Sequence, residues 1–215
     1  MQKYKLVLFD IDGTLADTDE MLFETMNQLY DLYRGGVRTP REKMIYFSGP
    51  IIEETLLNEF LNENQKFIYD EFQRIFQGLY PKMLKAFPGS KRMLLELKKK
   101  GYKLGIVTNK NHKSSLYCLS CLGFVDLLDT VVASDDVKYG KPEPDSIYKA
   151  MKDTKIENPH EVLYVGDNDS DYVCSKRAGV DSMLVTWGPR KFSESTKPTY
   201  KIDHFDKLVE AIEHE

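Results

Sequence analysis

Four short polar segments in this 215-residue chain combine residue types that can do chemistry together. Asp10-Ile11-Asp12-Gly13-Thr14 follows an apolar run at residues 5–9, and Thr108-Asn109 follows another at 103–107. Gly140-Lys141-Pro142 lies in the loop after the run at 130–133, and Gly166-Asp167-Asn168-Asp169-Ser170-Asp171 follows 162–165. Acids, a hydroxyl and a lysine placed this way are the parts that phosphoryl transfer uses. A carboxylate is a nucleophile that can take a phosphoryl group as an acyl-phosphate, splitting one hard displacement into two. Several carboxylates around a phosphate make sense only with a divalent cation between them, and oxygen-only ligands suit magnesium. A lysine adds a point charge on the phosphoryl oxygens, while a threonine hydroxyl and backbone N–H groups complete a cradle. Asp12, two residues beyond Asp10, can protonate a leaving oxygen and then activate water, provided that it starts neutral.

Each segment alone has an ordinary explanation. Asp-Gly-Thr is a common turn, Thr108-Asn109 can end a strand and cap a helix, and Asp169 or Asp171 can cap another. Lys141 alone reads as a solvated loop lysine. What singles the segments out is their conjunction, in order, each after an apolar run.

The elements that must position them follow from periodicity. Short apolar runs at residues 5–9, 103–107, 130–133, 162–165 and 181–185 predict buried strands. Helical spacing predicts helices over 21–33, 40–47, 50–61 and 65–79, so that 16–86 is all-helical. Further helices are expected at 90–100, before the strand at 130–133, near 146–151, near 172–178 and at 205–212. Strands alternating with helices imply βαβ units on a mostly parallel sheet, and ligands bind at the carboxyl ends of such strands. The expected fold is therefore a doubly wound, Rossmann-like α/β core of residues 1–15 and 87–215, with an inserted all-helical cap at 16–86. The two crossings, near 16–18 and 86–88, are expected to act as hinges.

Composition narrows the function classes. A hydrophobic content of 41% beside 30% charged residues is ordinary for a soluble globular enzyme. A net charge of −4 argues against a nucleic-acid partner, which would normally meet a basic face. No apolar run approaches the roughly 18 residues that a membrane span needs. The opening residues are too quickly interrupted by charge for a signal peptide, so a cytoplasmic address is expected. Three cysteines cannot all pair. Cys118 and Cys121 form a C-x-x-C within a helical pattern and are expected to be half-buried structural thiols, since no histidine cluster or second pair completes a zinc site.

The segments together resemble the haloacid dehalogenase superfamily of phosphohydrolases. Phe9-Asp10-Ile11-Asp12-Gly13-Thr14-Leu15 matches that family's first motif and Val107-Thr108-Asn109 its second. Gly140-Lys141-Pro142-Glu143-Pro144 matches the third, and Gly166-Asp167 with Asp171 the fourth. The resemblance implies Asp10 as nucleophile and Asp12 as acid/base. It implies phosphate contacts from Thr108, Asn109 and Lys141. Mg²⁺ would be held by Asp10, Asp167 and the carbonyl of Asp12, with Asp171 as a supporting acid. A helical insertion between the first two motifs resembles the subfamily that includes phosphoglycolate phosphatases, as do Phe87-Pro88-Gly89, Arg177-Ala178-Gly179-Val180, Val185-Thr186-Trp187-Gly188 and Ser48-Gly49-Pro50. Dehalogenation is not implied, because that branch characteristically lacks the second aspartate and Asp12 is present.

The expected substrate is a small phosphate monoester, such as phosphoglycolate, a nucleoside phosphate or a sugar phosphate, or pyrophosphate. Arg34, Arg38, Arg41, Arg74, Lys82 and Lys85 could each reach a substrate anion, or each be a solvated helix charge. Two rival readings stay open: a sugar phosphomutase of the same fold, and a binding protein that has lost catalysis. Monomer is the default oligomeric state for this group.

Overall fold

The computed structural model describes residues 3–213. In chain order the core begins with β1 (Leu6–Phe9), whose four side chains are all fully buried. Then come β2 (Ala16–Asp17) and the helices α1 (Asp19–Tyr33), α2 (Arg41–Met44), α3 (Ile52–Glu59), α4 (Gln65–Gly78) and α5 (Tyr80–Met83). β3 (Lys85–Ala86) and α6 (Ser90–Lys99) lead back to β4 (Lys103–Val107), followed by α7 (His112–Leu122) and β5 (Thr130–Val132). The chain closes with α8 (Asp145–Thr154), β6 (Val162–Gly166), α9 (Asp169–Ala178), β7 (Asp181–Val185), β8 (Tyr200–Ile202) and α10 (Asp206–Glu213).

Six strands form one parallel sheet in the order β5-β4-β1-β6-β7-β8. β1 is central, with Phe9 beside Ile106 of β4 on one side and beside Val165 of β6 on the other. The chain adds β4 and β5 on one side of β1, then crosses to add β6 and β7 on the other. The crevice at that switch lies beyond the carboxyl end of β1, which is where a doubly wound sheet receives its ligand. Two apolar layers flank the sheet: Val7, Phe9, Leu104 and Ile106 share one cluster, while Leu6, Leu8, Val107 and Tyr164 share the other. Alternate residues of a strand face opposite sides, so a strand buried on both faces reads as a continuous apolar run.

Several elements differ from the sequence-based expectation. The expected helix at 40–47 is a single α-turn, α2, continued as a 3-10 turn over Ile45–Phe47. β8 carries no periodic signal in three residues and exists through its pairing of Met183 with Tyr200 and Val185 with Ile202. The two crossings between sheet and helices pair with each other, Ala16 opposite Ala86 and Asp17 opposite Lys85, in a short antiparallel ribbon. That pairing joins distant residues, so no local pattern announces it. Of the C-x-x-C pair, Cys118 is buried and Cys121 exposed, because i and i+3 on a helix at the protein's edge straddle its boundary; all three cysteines are free thiols. Among the described residues, no helix is long and apolar enough to cross a membrane.

Candidate active site

The carboxyl ends of β1, β4 and β6 deliver Asp10, Thr108 and Asp167 to one edge, and the loop after β5 brings Lys141 there. The Asp10 N–H donates to Val165 O at 3.0 Å, so the residue leaves β1 still tied to β6. Its Oδ1 accepts the Ile11 N–H at 2.7 Å, which aims Oδ2 at Lys141. Lys141 Nζ bridges Asp10 Oδ2 at 2.8 Å and Asp171 Oδ1 at 2.7 Å. The Tyr164 hydroxyl completes the lysine's surroundings at 3.0 Å. Burial works against the charge on Lys141, but Asp10 and Asp171 outweigh it and hold the ammonium protonated, above the ordinary lysine range. Burial, with the Asp171 and Asp10 carboxylates adding to it, pushes the Tyr164 phenol up, so that this hydroxyl stays neutral.

Asp171 is oriented by local structure. It stands in the first turn of α9, where Asn168 caps the helix and accepts the Ser170 N–H, while Asp171 Oδ2 accepts the N–H groups of Asp167 and Asn168 at 3.0 and 2.9 Å. This is a capping box, built to satisfy backbone donors at a helix start. Gly166 makes it possible, because a Cβ there would lie 2.3 Å from Asp171 Oδ2. Gly13 has a second such constraint. Its φ of +81° suits only glycine readily, and a Cβ would sit 2.2 Å from Asp167 Oδ2.

Asp167 accepts the Thr14 hydroxyl at 3.2 Å through Oδ1 and the Arg190 guanidinium at 2.6 Å through Oδ2. Arg190 also pairs with Asp19, at the start of α1. Burial drives the Asp167 carboxyl up to about 8, with Arg190 opposing that shift and the carboxylates of Asp171 and Asp10 adding to it. Burial likewise raises Asp10, with Lys141 opposing.

Asp12 is turned elsewhere. Its Oδ1 accepts the Thr18 hydroxyl at 2.9 Å and its Oδ2 pairs with Lys110 Nζ at 2.7 Å, so its carboxylate is directed at the cavity under the helices and not at the other acids. Thr108 is buried, and its Oγ1 accepts the Lys110 N–H at 3.3 Å. The Asn109 side chain clamps three backbone groups: it accepts the Lys141 N–H and donates to the carbonyls of Lys141 and Gly49. Of the charges considered for substrate contacts, Arg34 pairs with Glu59, Arg38 with Asp31, Arg41 with Glu20 and Arg74 with Glu71. None of them, nor Lys82 or Lys85, lines the cavity. Lys110, Tyr164, Arg190 and Asp19 were not singled out by the sequence. Lys110 directly follows Thr108-Asn109, which was signal enough; Arg190 lies 23 residues from Asp167 and carried none.

The donor set suits a hard divalent cation. Oxygens of Asp10, Asp167 and Asp171 lie within 4.8 Å of one another, all buried. Around the strand ends four carboxylates (Asp10, Asp19, Asp167, Asp171) face two cations (Lys141, Arg190), leaving two negative charges in excess, while Asp12 and Lys110 pair separately. A buried excess of that sign is costly, and the raised Asp10 and Asp167 are its symptom. One divalent cation among oxygen ligands would cancel it.

Comparison with known proteins agrees with this geometry. Residues 7–185 match the family model for haloacid dehalogenase-like hydrolases. The chain is 32% identical to the pyrophosphatase PpaX of Bacillus cereus (strain Q1), covering 96% of this chain and 95% of that protein. A predicted phosphoglycolate phosphatase from Haemophilus somnus superposes with a TM-score of 0.83 at 23% identity, covering 98% of this chain and 99% of its own. CbbY from Rhodobacter sphaeroides, solved in complex with phosphate, gives a TM-score of 0.82 at 18% identity, covering 98% of this chain and 99% of its own. With strand ends, acid cluster and bridging lysine all in place, this chain belongs to the haloacid dehalogenase-like hydrolase family.

Proposed function

We propose that this enzyme is a Mg²⁺-dependent phosphatase acting on a small phosphate monoester or on pyrophosphate, through an aspartyl-phosphate on Asp10. The observation that carries the reading is the lysine bridge. Lys141 Nζ lies 2.8 Å from Asp10 Oδ2, so a phosphoryl group approaching that oxygen meets an ammonium at once. Asp10 and Asp167, with the carbonyl of Asp12, would hold Mg²⁺, and Asp171 would support it by fixing Lys141 and the Asp167 backbone. Bound there, the ion supplies the positive charge that lets a phosphoryl anion approach a carboxylate.

In the first half-reaction an Asp10 carboxylate oxygen forms a bond to phosphorus as the bond from phosphorus to the leaving oxygen breaks. Asp12 must enter this step released from Lys110 and carrying the proton taken from the water of the preceding turnover, and it gives that proton to the leaving oxygen. In the second half-reaction water attacks the phosphorus, Asp12 takes the water's proton, and the Asp10–phosphorus bond breaks to release inorganic phosphate. Thr108, Asn109 and Lys141 bind the phosphoryl oxygens throughout.

The segment 16–86 serves as the cap over a core of 1–15 and 87–215. In support, the cavity above Asp10 and Asp12 is lined both by core residues, Thr108 to Asn111, and by Phe47, Ser48, Gly49, Phe72 and Phe76 of the helical segment. Enclosure of that kind excludes water from the reaction. Pyrophosphate and phosphoglycolate are named for the relatives, and either fits the same chemistry.

The test is release of inorganic phosphate from a panel of small phosphate esters and pyrophosphate, with Mg²⁺ and with excess chelator. Turnover should need Mg²⁺ and no bisphosphate activator. Turnover in chelator would sink the metal assignment, and a requirement for a bisphosphate would favour the phosphomutase.

A further inference from the structure

Lys110 leaves the loop after β4 and enters the cavity between the strand ends and the helices. It is the only Lys or Arg among the described residues that line this cavity. Its side chain is 10% exposed. Nζ lies 2.7 Å from Asp12 Oδ2 and 4.8 Å from the centre of the Phe76 ring. An ammonium carries three N–H donors. Among the described residues, Asp12 Oδ2 is the only acceptor hydrogen-bonded to Nζ. A buried cation with spare donors, set against an aromatic wall, is an anion site in waiting.

Its position says which anion. Asp12 is read as the group that protonates the leaving oxygen, and Lys110 Nζ is one hydrogen bond from Asp12. Lys110 therefore stands on the leaving-group side, whereas Lys141 stands on the Asp10 side. The rest of the lining mixes apolar Leu22, Phe47, Ile52, Phe72 and Phe76 with uncharged polar residues such as Thr18, Ser48, Gln73 and Asn111.

We propose that Lys110 is the specificity-determining residue of this site, binding a second anionic group, carboxylate or phosphate, placed one or two bonds beyond the departing oxygen. On binding, Lys110 exchanges Asp12 for that anion. The exchange leaves Asp12 Oδ2 facing the leaving oxygen. This inference rests on the phosphatase reading and narrows it: leaving groups with their own negative charge are favoured over neutral ones of the same size.

The experiment measures kcat and KM for phosphoglycolate, for pyrophosphate and for 2-hydroxyethyl phosphate, whose leaving group is near in size to glycolate and uncharged. Wild type should prefer the charged pair. In Lys110→Gln, the ratio of kcat/KM for phosphoglycolate to that for 2-hydroxyethyl phosphate should fall by at least about tenfold, chiefly through KM, and Lys110→Arg should recover most of the ratio. An equal proportional loss on both substrates would overturn the inference, leaving Lys110 as a support for Asp12. So would a wild-type enzyme indifferent to the second charge, which needs no variant to fold. Either result leaves the phosphatase standing, whereas no phosphate release from any substrate would remove the phosphatase reading and this inference with it.

Discussion

Nη1 of Arg190 lies 2.6 Å from Oδ2 of Asp167. The same guanidinium reaches Asp19 at the start of α1, so one buried side chain ties the segment after β7 both to the strand ends and to the first helix over the cavity. Its Nε has no hydrogen-bond partner among the described residues, which leaves the two carboxylates as its main compensation for burial.

Replacing Arg190 by Met strands both carboxylates. Breaking a buried pair from one side typically costs about 3–5 kcal/mol. Metal-free Arg190→Met should therefore melt well below wild type. Mg²⁺ should raise its melting temperature by more than it raises the wild type's, because the unpaired Asp167 then gains more from the cation. Equal Mg²⁺ shifts in the two proteins, measured by thermal melts at matched concentrations, would contradict this coupling.

Asp10→Asn keeps the shape and the acceptor for the Ile11 N–H while removing the nucleophilic charge. Turnover should fall by at least about a thousandfold. Metal-free stability should fall, since an Asn whose Oδ1 keeps the Ile11 N–H turns its NH2 toward the Lys141 ammonium, which is left with Asp171 as its one charged partner. Phosphate release and a melt check the two halves. Near-normal turnover would end the aspartyl-phosphate proposal.

Asp12→Asn should slow substrates with poor leaving groups by about a hundredfold or more, and an aryl phosphate by much less, because an aryl oxide leaves without a proton. Rates for a simple alkyl phosphate and a nitrophenyl phosphate measure the contrast. Equal losses would assign Asp12 a supporting role alone.

Much of the site was legible because its chemistry sits where apolar runs stop. Asp10, Thr108 and Asp167 each follow a fully or nearly fully buried strand, and a five-residue buried run is visible without any partner. Lys141 was marked by its flanking Gly140 and Pro142. The unread part is long-range. Arg190 reaches Asp19 and Asp167, the ribbon joins Ala16 to Ala86, and β8 needs β7 beside it. Each is a pairing between distant residues, and none leaves a periodic trace. The arginines of the helical segment stayed open in the sequence for the same reason: a surface arginine can reach a substrate or be a solvated charge until its own acid, such as Glu59 for Arg34, is seen beside it.

The three cysteines should separate by reactivity. Burial pushes the Cys118 and Cys174 thiols up to about 12, while Cys121 is exposed. The reactive thiolate grows as pH rises through the pKa, so at pH 8 a thiol near 12 is about one part in ten thousand thiolate. Iodoacetamide at pH 8 should label the folded protein once, and Cys121→Ser should abolish that label. Intact mass spectrometry reads both. Rapid double labelling of the folded chain would show that Cys118 or Cys174 is not buried as described.

The contact between the helical segment and the sheet edge predicts where specificity can be altered without touching the metal. Asn109 Nδ2 donates to Gly49 O at 2.8 Å and Asn168 Nδ2 to Ser48 O at 3.2 Å, so two loops at the strand ends hold one loop of the helical segment. Gly49 has φ of +115°, and a Cβ there would lie 2.3 Å from Asn168 Nδ2. Gly49→Ala is therefore opposed twice, by the backbone and by the neighbour. The loop cannot keep its place, and both hydrogen bonds loosen together. Gly49 and Ser48 also line the cavity, so its far wall moves as well. None of Asp10, Lys141, Asp167 or Asp171 touches Gly49 through a hydrogen bond, so the Mg²⁺ concentration for half-maximal activity should stay within about threefold of wild type. The value of kcat/KM should fall by about tenfold to a hundredfold, because a displacement of even about 1 Å at such a site has that scale of effect. The rank order of substrates should also change. A panel run on wild type and Gly49→Ala, each across a Mg²⁺ series, separates the outcomes. An unchanged rank order with weakened Mg²⁺ dependence would place this loop with the metal site and leave the cap without its proposed part in specificity.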